Sequence, residues 1–172
     1  MEEERFVSEV RAMERTLYRV ARGYLRTWDE CADAVQEALC KAWDKQKHVD
    51  ESYFRPWLTR IVINECHNIG RRKNRLIPVA EPEREPAPES ALPEVADALD
   101  ALPERLRLPL TLHYLEGFSV EEVSRILRIP VGTVKSRLHQ ARSQFRVQWM
   151  EAEKEETASR PPHGRPWKGA EK

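Results

Sequence analysis

SVEEVSRILRIPVGTVKSRLHQARSQFR, residues 119–146, decides how the rest of the chain reads. Ser119 followed three residues later by Glu122 is a capping box, so a helix starts there. Val120, Val123, Ile126 and Leu127 fall on one face at helical spacing. Pro130 cannot sit inside a helix, so the pattern breaks and restarts at about Val131. Val134, Leu138, Ala141 and Phe145 then form a single stripe. The other side carries Lys135, Ser136, Arg137, His139, Gln140, Arg142, Ser143 and Arg146, with no carboxylate. A short helix, a break of about three residues and a basic second helix make a helix-turn-helix, whose second helix enters the DNA major groove. The same stripe also fits a plain helical hairpin with a solvated basic face. The capping box, the break and the acid-free face together favour DNA binding.

The chain has 172 residues, 40% hydrophobic and 34% charged, which suits a helix-rich protein. Six glycines and few β-branched runs argue against a large sheet. No run approaches the ~18 apolar residues of a membrane span. MEEERFVSEV at the start is acidic and lacks an apolar core, so no signal peptide is expected and the cytoplasm is the expected location.

The formal net charge is zero but unevenly spread. Residues 1–76 carry +2, residues 77–102 carry −6 and residues 103–150 carry +4. A protein without net positive charge should hold DNA weakly on its own, because phosphate neutralisation supplies most non-specific affinity. Cys31, Cys40 and Cys66 match no zinc spacing and read as small buried side chains in a reducing compartment.

Upstream, residues 4–27 read as a helix with Phe6, Val10, Met13, Leu17, Val20, Ala21 and Tyr24 on one face. Asp29 is expected to cap a second helix, with Ala32, Val35, Leu39, Ala42 and Trp43 inward and Trp43 as a core anchor. Asp33, Gln36 and Glu37 lie outward, with Lys41 one turn on. Such acids either solvate a helix or dock a basic partner. Residues 45–52 read as a polar loop. A third helix from about Tyr53 to Lys73 should bury Phe54, Trp57, Leu58, Ile61, Val62 and Ile69. Arg55, Arg60 and Asn64 share a partly polar face. Arg71, Arg72, Lys73 and Arg75 suit a helix C-terminus, and arginines among aromatics equally suit a single-strand-binding surface.

PVAEPEREPAPESALP, residues 78–93, has five prolines and four acids and reads as an extended linker. Beyond it, Val95, Ala98, Leu99 and Leu102 give a short helix. PERLRLPLTLHYLEG then runs from a first-turn Pro103 to a C-cap Gly117, with a kink expected at Pro109. From about Glu151 the chain should fray into disorder, leaving Trp167 unexplained. The expected fold is all-α: two small helical domains, 1–76 and 93–150, joined by a flexible acidic linker at 77–92 and followed by a tail at 151–172.

DAVQEALCKAW at 33–43, FRPWLTRIVINECHNIGRR at 54–72 and LPERLRLPLTLHYLEGFSVEEVSRILRIPVGTVKSRLHQAR at 102–142 together resemble a bacterial RNA polymerase sigma factor of the extracytoplasmic-function group. The resemblance covers roughly residues 5–148. It implies an initiation factor that binds core polymerase, reads the −35 and −10 elements and opens the −10 strand, without catalytic residues, cofactor, metal or small-molecule substrate. By that resemblance Asp33, Gln36, Glu37 and Lys41 would dock on the polymerase β′ clamp helices, with the β subunit also a partner. His48 and the loop at 46–54, with Phe54, Arg55, Trp57 and Arg60 around Asn64, would capture the unpaired −10 strand and a flipped base, whose unstacking cost of a few kcal/mol the pocket must offset. Lys135, Ser136, His139 and Gln140, with Thr133, would read the −35 element, and Arg137 and Arg142 would hold phosphates. The linker would thread the RNA-exit path, and an anti-sigma protein would be a further partner. The chain departs from the group's pattern with His48 where an aromatic is frequent, Arg128 where many members have glycine in the turn, and His139 and Gln140 where some have larger or more basic side chains. These departures bear on which promoter is read.

Two other readings fit part of the chain. A stand-alone helix-turn-helix regulator would use residues 119–146 alone and protect an operator unaided. A protein-only adaptor would leave the basic face of 135–146 without a purpose.

Overall fold

The computed structural model describes residues 2–75 and 93–159, which form seven α-helices and no strand among the described residues. Helix α1, Glu3–Tyr24, follows from the three-and-four spacing and turns Phe6, Met13, Leu17, Val20 and Ala21 inward. Helix α2, Trp28–Lys45, is capped by Thr27 rather than Asp29: the Glu30 N–H donates to Thr27 Oγ1 at 3.3 Å, and Glu30 returns the bond to the Thr27 N–H. Thr27 and Glu30 form a reciprocal box, which satisfies two orphan donors where Asp29 could satisfy one. Asp29 falls in the first turn.

The buried face of α2 is rotated from the expected stripe. Cys31, Ala34, Val35, Ala38 and Ala42 are inside, whereas Trp43 is 42% exposed, its ring centroid 5.4 Å from that of Phe6 in an edge-to-face pair. Small residues let α2 approach its neighbours closely, and the bulky residues move to the flank. The polar loop is two short 3₁₀ turns, Gln46–His48 and Glu51–Tyr53, the second capped by Asp50 accepting from the Ser52 N–H at 2.9 Å. Helix α3, Phe54–Arg75, closes the first unit around Leu17, Phe54, Leu58, Val62 and Cys66.

The second unit begins with α4, Pro93–Asp100, and α5, Glu104–Leu110. Pro103 stands at the N-cap of α5 rather than in its first turn. Helix α5 runs through Pro109 to Leu110, and a π turn over Thr111–Leu115 follows it, where the Glu116 N–H reaches the Thr111 carbonyl at 3.0 Å. Pro109 supplies no N–H to the Arg105 carbonyl one turn upstream, the missing backbone bond that a proline inside a helix imposes. Gly117 at φ 73° ends the segment, and the Phe118 N–H returns to the Leu112 carbonyl at 3.0 Å.

Helix α6, Val120–Leu127, starts at the Ser119–Glu122 capping box, with bonds of 3.1 and 2.8 Å. It ends at Arg128, whose φ of 54° and ψ of 46° are left-handed. The turn is pinned by the Ser124 hydroxyl donating to the Ile129 carbonyl at 2.6 Å. Helix α7 starts at Val131, with Val134, Leu138 and Ala141 buried and Phe145 half-buried, as the spacing predicts. It runs to Ser159, beyond the expected end near residue 150. EAEKEETAS is rich in strong helix formers and free of proline, so nothing local stops the helix sooner. The linker at 77–92 and Trp167 lie outside the described residues.

The two units pack on each other. Val20 of α1 and Ile63 of α3 share a core with Leu112, Phe118, Val123, Ile126, Val134 and Leu138 of the second unit.

A left-handed non-glycine residue is strained by roughly 1–2 kcal/mol, part of which glycine's greater unfolded-state entropy returns. Arg128→Gly should therefore raise stability by about 1 kcal/mol in urea denaturation. Arg128→Val, β-branched at the same φ, should lower it, and equal midpoints for both variants would contradict the strain.

Candidate nucleic-acid and polymerase interfaces

Three surfaces carry the candidate residues. On α2, Asp33, Gln36 and Glu37 are exposed on one flank. Lys41, one turn on, is engaged within the chain: its ammonium donates to Glu65 Oε2 at 2.6 Å, and Asn68 Nδ2 donates to the same oxygen at 3.0 Å. The outward set that can meet a basic partner is therefore the two acids and the glutamine. Burial raises the Glu65 pKa, but the hydrogen bonds from Lys41 and Asn68 and the nearby charges of Lys41 and Arg72 outweigh it and leave the pKa lowered.

On α3, Asn64 is exposed, while Phe54 is 1% exposed and packs beneath the surface against Phe6. A DNA strand cannot touch Phe54 here. Its ring supports half-buried Trp57, 5.8 Å away, from below. His48 is exposed at the end of the first 3₁₀ turn. Arg60, half-buried, and Arg55, which stays exposed, both reach the second unit. Arg55 Nη2 donates to the Glu116 carbonyl at 3.2 Å, and its guanidinium lies 5.2 Å from the Phe118 ring centroid. Arg60 Nη1 donates to the Arg125 and Ile126 carbonyls at 3.0 and 2.7 Å. Those carbonyls belong to the C-terminal turn of α6, where a cation also meets the negative end of the helix dipole. Burial and then the neighbouring Arg128 charge lower the Arg60 pKa, and the guanidinium stays charged.

On α7, Lys135, Ser136, His139, Gln140 and Arg142 are exposed, and Thr133 and Arg137 are half-buried. Val134, Leu138 and Ala141 anchor the opposite face, which fixes the rotation of the helix. Ser136 and Ser143 turn their hydroxyls back to carbonyls of their own helix, at 3.0 and 3.2 Å.

Sequence reasoning missed the residues that join the units. Glu116, with its side chain 4% exposed, accepts from Thr16 Oγ1 at 2.6 Å and from Arg19 Nη1 at 2.5 Å. Arg107 donates through Nε and Nη2 to the Gly23 carbonyl at 3.2 and 2.9 Å. One signal was available: an acid just before a C-cap glycine sits at the wrong end of the helix dipole and needs a cation from elsewhere. Ile63, an apolar residue beside Arg60 and Asn64 on the polar side of α3, was another.

Comparison with known proteins matches these units. Residues 10–76 match the Sigma-70 region 2 family and residues 92–145 match Sigma-70, region 4. The chain is 34% identical over 135 residues to the ECF RNA polymerase sigma-E factor of Haemophilus influenzae, covering 66% of this chain and 71% of that one. The chain belongs to the extracytoplasmic-function sigma factors. The ECF RNA polymerase sigma factor SigE of Mycolicibacterium smegmatis is 30% identical over 143 residues, and this sigma factor spans 56% of its length. Among solved structures, the sigma factor RpoE in complex with the anti-sigma factor NepR from Bartonella quintana has a TM-score of 0.73 at 28% identity, covering 84% of this chain and 96% of that one. CnrH in complex with the cytosolic domain of CnrY has a TM-score of 0.65 at 25% identity, over 88% and 90% of the two chains. No described helix of this sigma factor is long and apolar enough to cross a membrane.

The Lys41–Glu65 contact gives a pH signature. A carboxylate with a lowered folded pKa stabilises above its unfolded pKa and loses that stabilisation as pH falls through the folded value. Lys41→Met should cost about 1 kcal/mol at neutral pH, since Lys41 is itself half-exposed. The gap to wild type should close on acidification below the usual carboxylate range; urea midpoints at several pH values check this, and a pH-independent gap would contradict it.

Proposed function

We propose that this sigma factor joins core RNA polymerase through Asp33, Gln36 and Glu37 on α2, captures the −10 strand around Asn64 on α3, and reads the −35 element with Lys135, Ser136, His139 and Gln140 on α7. The observation that carries this is the separation of three chemically distinct surfaces on one chain. An exposed acidic flank suits a basic protein surface. An asparagine-bearing helix face with Trp57 and arginines nearby suits an unstacked base, which needs edge hydrogen bonds and a ring. A positively charged helix face, free of carboxylates and anchored from behind, suits a major groove, where each bidentate contact discriminates by roughly 1–3 kcal/mol. Residues 1–76 and 93–150 are the two working domains and 77–92 the connector.

No step requires bond chemistry by the chain, so its role is that of a binding factor and not an enzyme. The cytoplasm, where polymerase and promoter are, is its place of action. Its structural neighbours RpoE and CnrH were solved with NepR and CnrY, which supports an anti-sigma protein as a further partner of this chain.

Run-off transcription with purified core polymerase and a cognate promoter tests the assignment. Asp33→Ala with Glu37→Ala should weaken core binding about tenfold and lower transcript in proportion. Asn64→Ala should leave core binding intact and lower open-complex formation by a similar factor. Failure of the wild-type chain to associate with core polymerase would overturn the proposal.

A further inference from the structure

The match to Sigma-70, region 4 ends at residue 145, whereas α7 runs on to Ser159. The added length carries apolar side chains without cover. Val147 is 53% exposed and Met150 50%, and with Ser143 they fall at helical spacing on one stripe. Phe145 and Trp149 stack with ring centroids 6.2 Å apart, and Phe145 packs on the core of Leu102, Leu106 and Leu110. Between α7 and the residues that follow α4 lies a groove of about 250 Å³, lined by Ala101, Leu102, Ser143, Gln144, Val147 and Gln148. Leu102 and Val147 make it apolar, and the two glutamines add amide oxygens that accept hydrogen bonds. A flat apolar ring with one N–H donor, which is an indole, matches that chemistry.

We propose that the groove is the seat of Trp167, so that residues 160–172 fold back along α7 and cover its exposed stripe. Three observations support this occupant. The first is reach. Val147 precedes Ser159 by twelve residues, about 18 Å of helix, and Trp167 follows Ser159 by eight, about 26 Å of extended chain, which leaves length for the reversal. Pro161 and Pro162 cannot continue α7, and Gly164 permits a turn. The second is charge. Residues 151–159 hold four glutamates against one lysine, whereas residues 160–172 hold Arg160, Arg165, Lys168 and Lys172 against Glu171. A basic segment laid back along an acidic one gains attraction over its whole length, and cations also meet the negative end of the α7 dipole. The third is that the wall carrying Val147 and the segment carrying Trp167 both lie past residue 145, so groove and occupant come in the same added piece. A tethered ring is present at an effective concentration of about millimolar, so a contact too weak to hold a separate protein suffices.

The full-length chain labelled with 5-fluorotryptophan tests this by fluorine magnetic resonance. Of its five tryptophans, Trp167 is assigned by the signal lost in Trp167→Phe. A labelled synthetic peptide of residues 160–172 gives the solvent-exposed reference. In the wild type the Trp167 signal should stand away from the peptide position and show at most half its shift between light and heavy water. Val147→Lys, at an exposed position, should return that signal to the peptide position and leave those of Trp28, Trp43 and Trp57 in place. Trypsin gives an independent reading. Arg160 and Arg165 each precede a proline, so Lys168–Gly169 is the bond open to it in residues 160–171. Cleavage there should be about tenfold slower in the wild type than in Val147→Lys, because cutting follows the undocked population. Arg165→Glu should also speed cleavage. A Trp167 signal at the peptide position in the wild type, or equal cleavage in wild type and Val147→Lys, overturns the proposal. A displaced signal that returns to the peptide position on dilution overturns it in favour of a second copy as the occupant. Neither measurement uses polymerase or promoter, so its failure is distinct from failure of the proposed function.

Discussion

Glu116 is the point on which the two halves of this molecule meet. Its carboxylate is buried and shared between Thr16 and Arg19, and its carbonyl accepts from Arg55. A buried charge is costly unless it is paired, and the cost of desolvating Glu116 offsets much of what its pairing with half-exposed Arg19 returns. The contact therefore contributes orientation more than stability. It sets which face of the second unit meets α1 and α3, and Val20 and Ile63 supply the non-directional attraction.

The three candidate faces follow from how the helices bury their backs. Helix α2 turns alanines and Cys31 inward, which brings it close to its neighbours and leaves Asp33, Gln36 and Glu37 outside. Helix α7 hangs from Val134, Leu138 and Ala141, and its polar residues point away by default. The turn before it holds Arg128 in a left-handed conformation, so the angle between α6 and α7 is kept at the expense of local strain. In each case an apolar stripe fixes the rotation of a helix, and the rotation decides what a partner can touch.

Much of this was legible in the residues. The Ser119–Glu122 box, the break at Pro130 and the stripe of α7 all rest on local chemistry, which a sequence carries within a few residues. The cap of α2 was misplaced because Asp29 is a good cap by itself, while the reciprocal Thr27–Glu30 pair is better. Trp43 was expected inside because large aromatics usually are, whereas close helix packing chose the alanines. The meeting of the two units was not readable. Its members lie 60 to 100 positions apart, as Arg60 with Ile126 and Thr16 with Glu116 are, and no periodicity links them. The same gap explains why Arg60 looked free for DNA. A long-range carbonyl partner leaves no mark on local sequence.

The central claim is that one chain supplies two promoter readers that work only when polymerase holds it on DNA. Permanganate mapping of unpaired thymines, together with footprinting on a promoter found by transcript start mapping, tests this most directly. The account predicts reactive thymines across the −10 region and protection of the −35 region when chain and core polymerase are both present, with neither seen for the chain or the core alone. Protection of the −35 region by the free chain at the same concentration, or a duplex that stays paired in the presence of both, would contradict it.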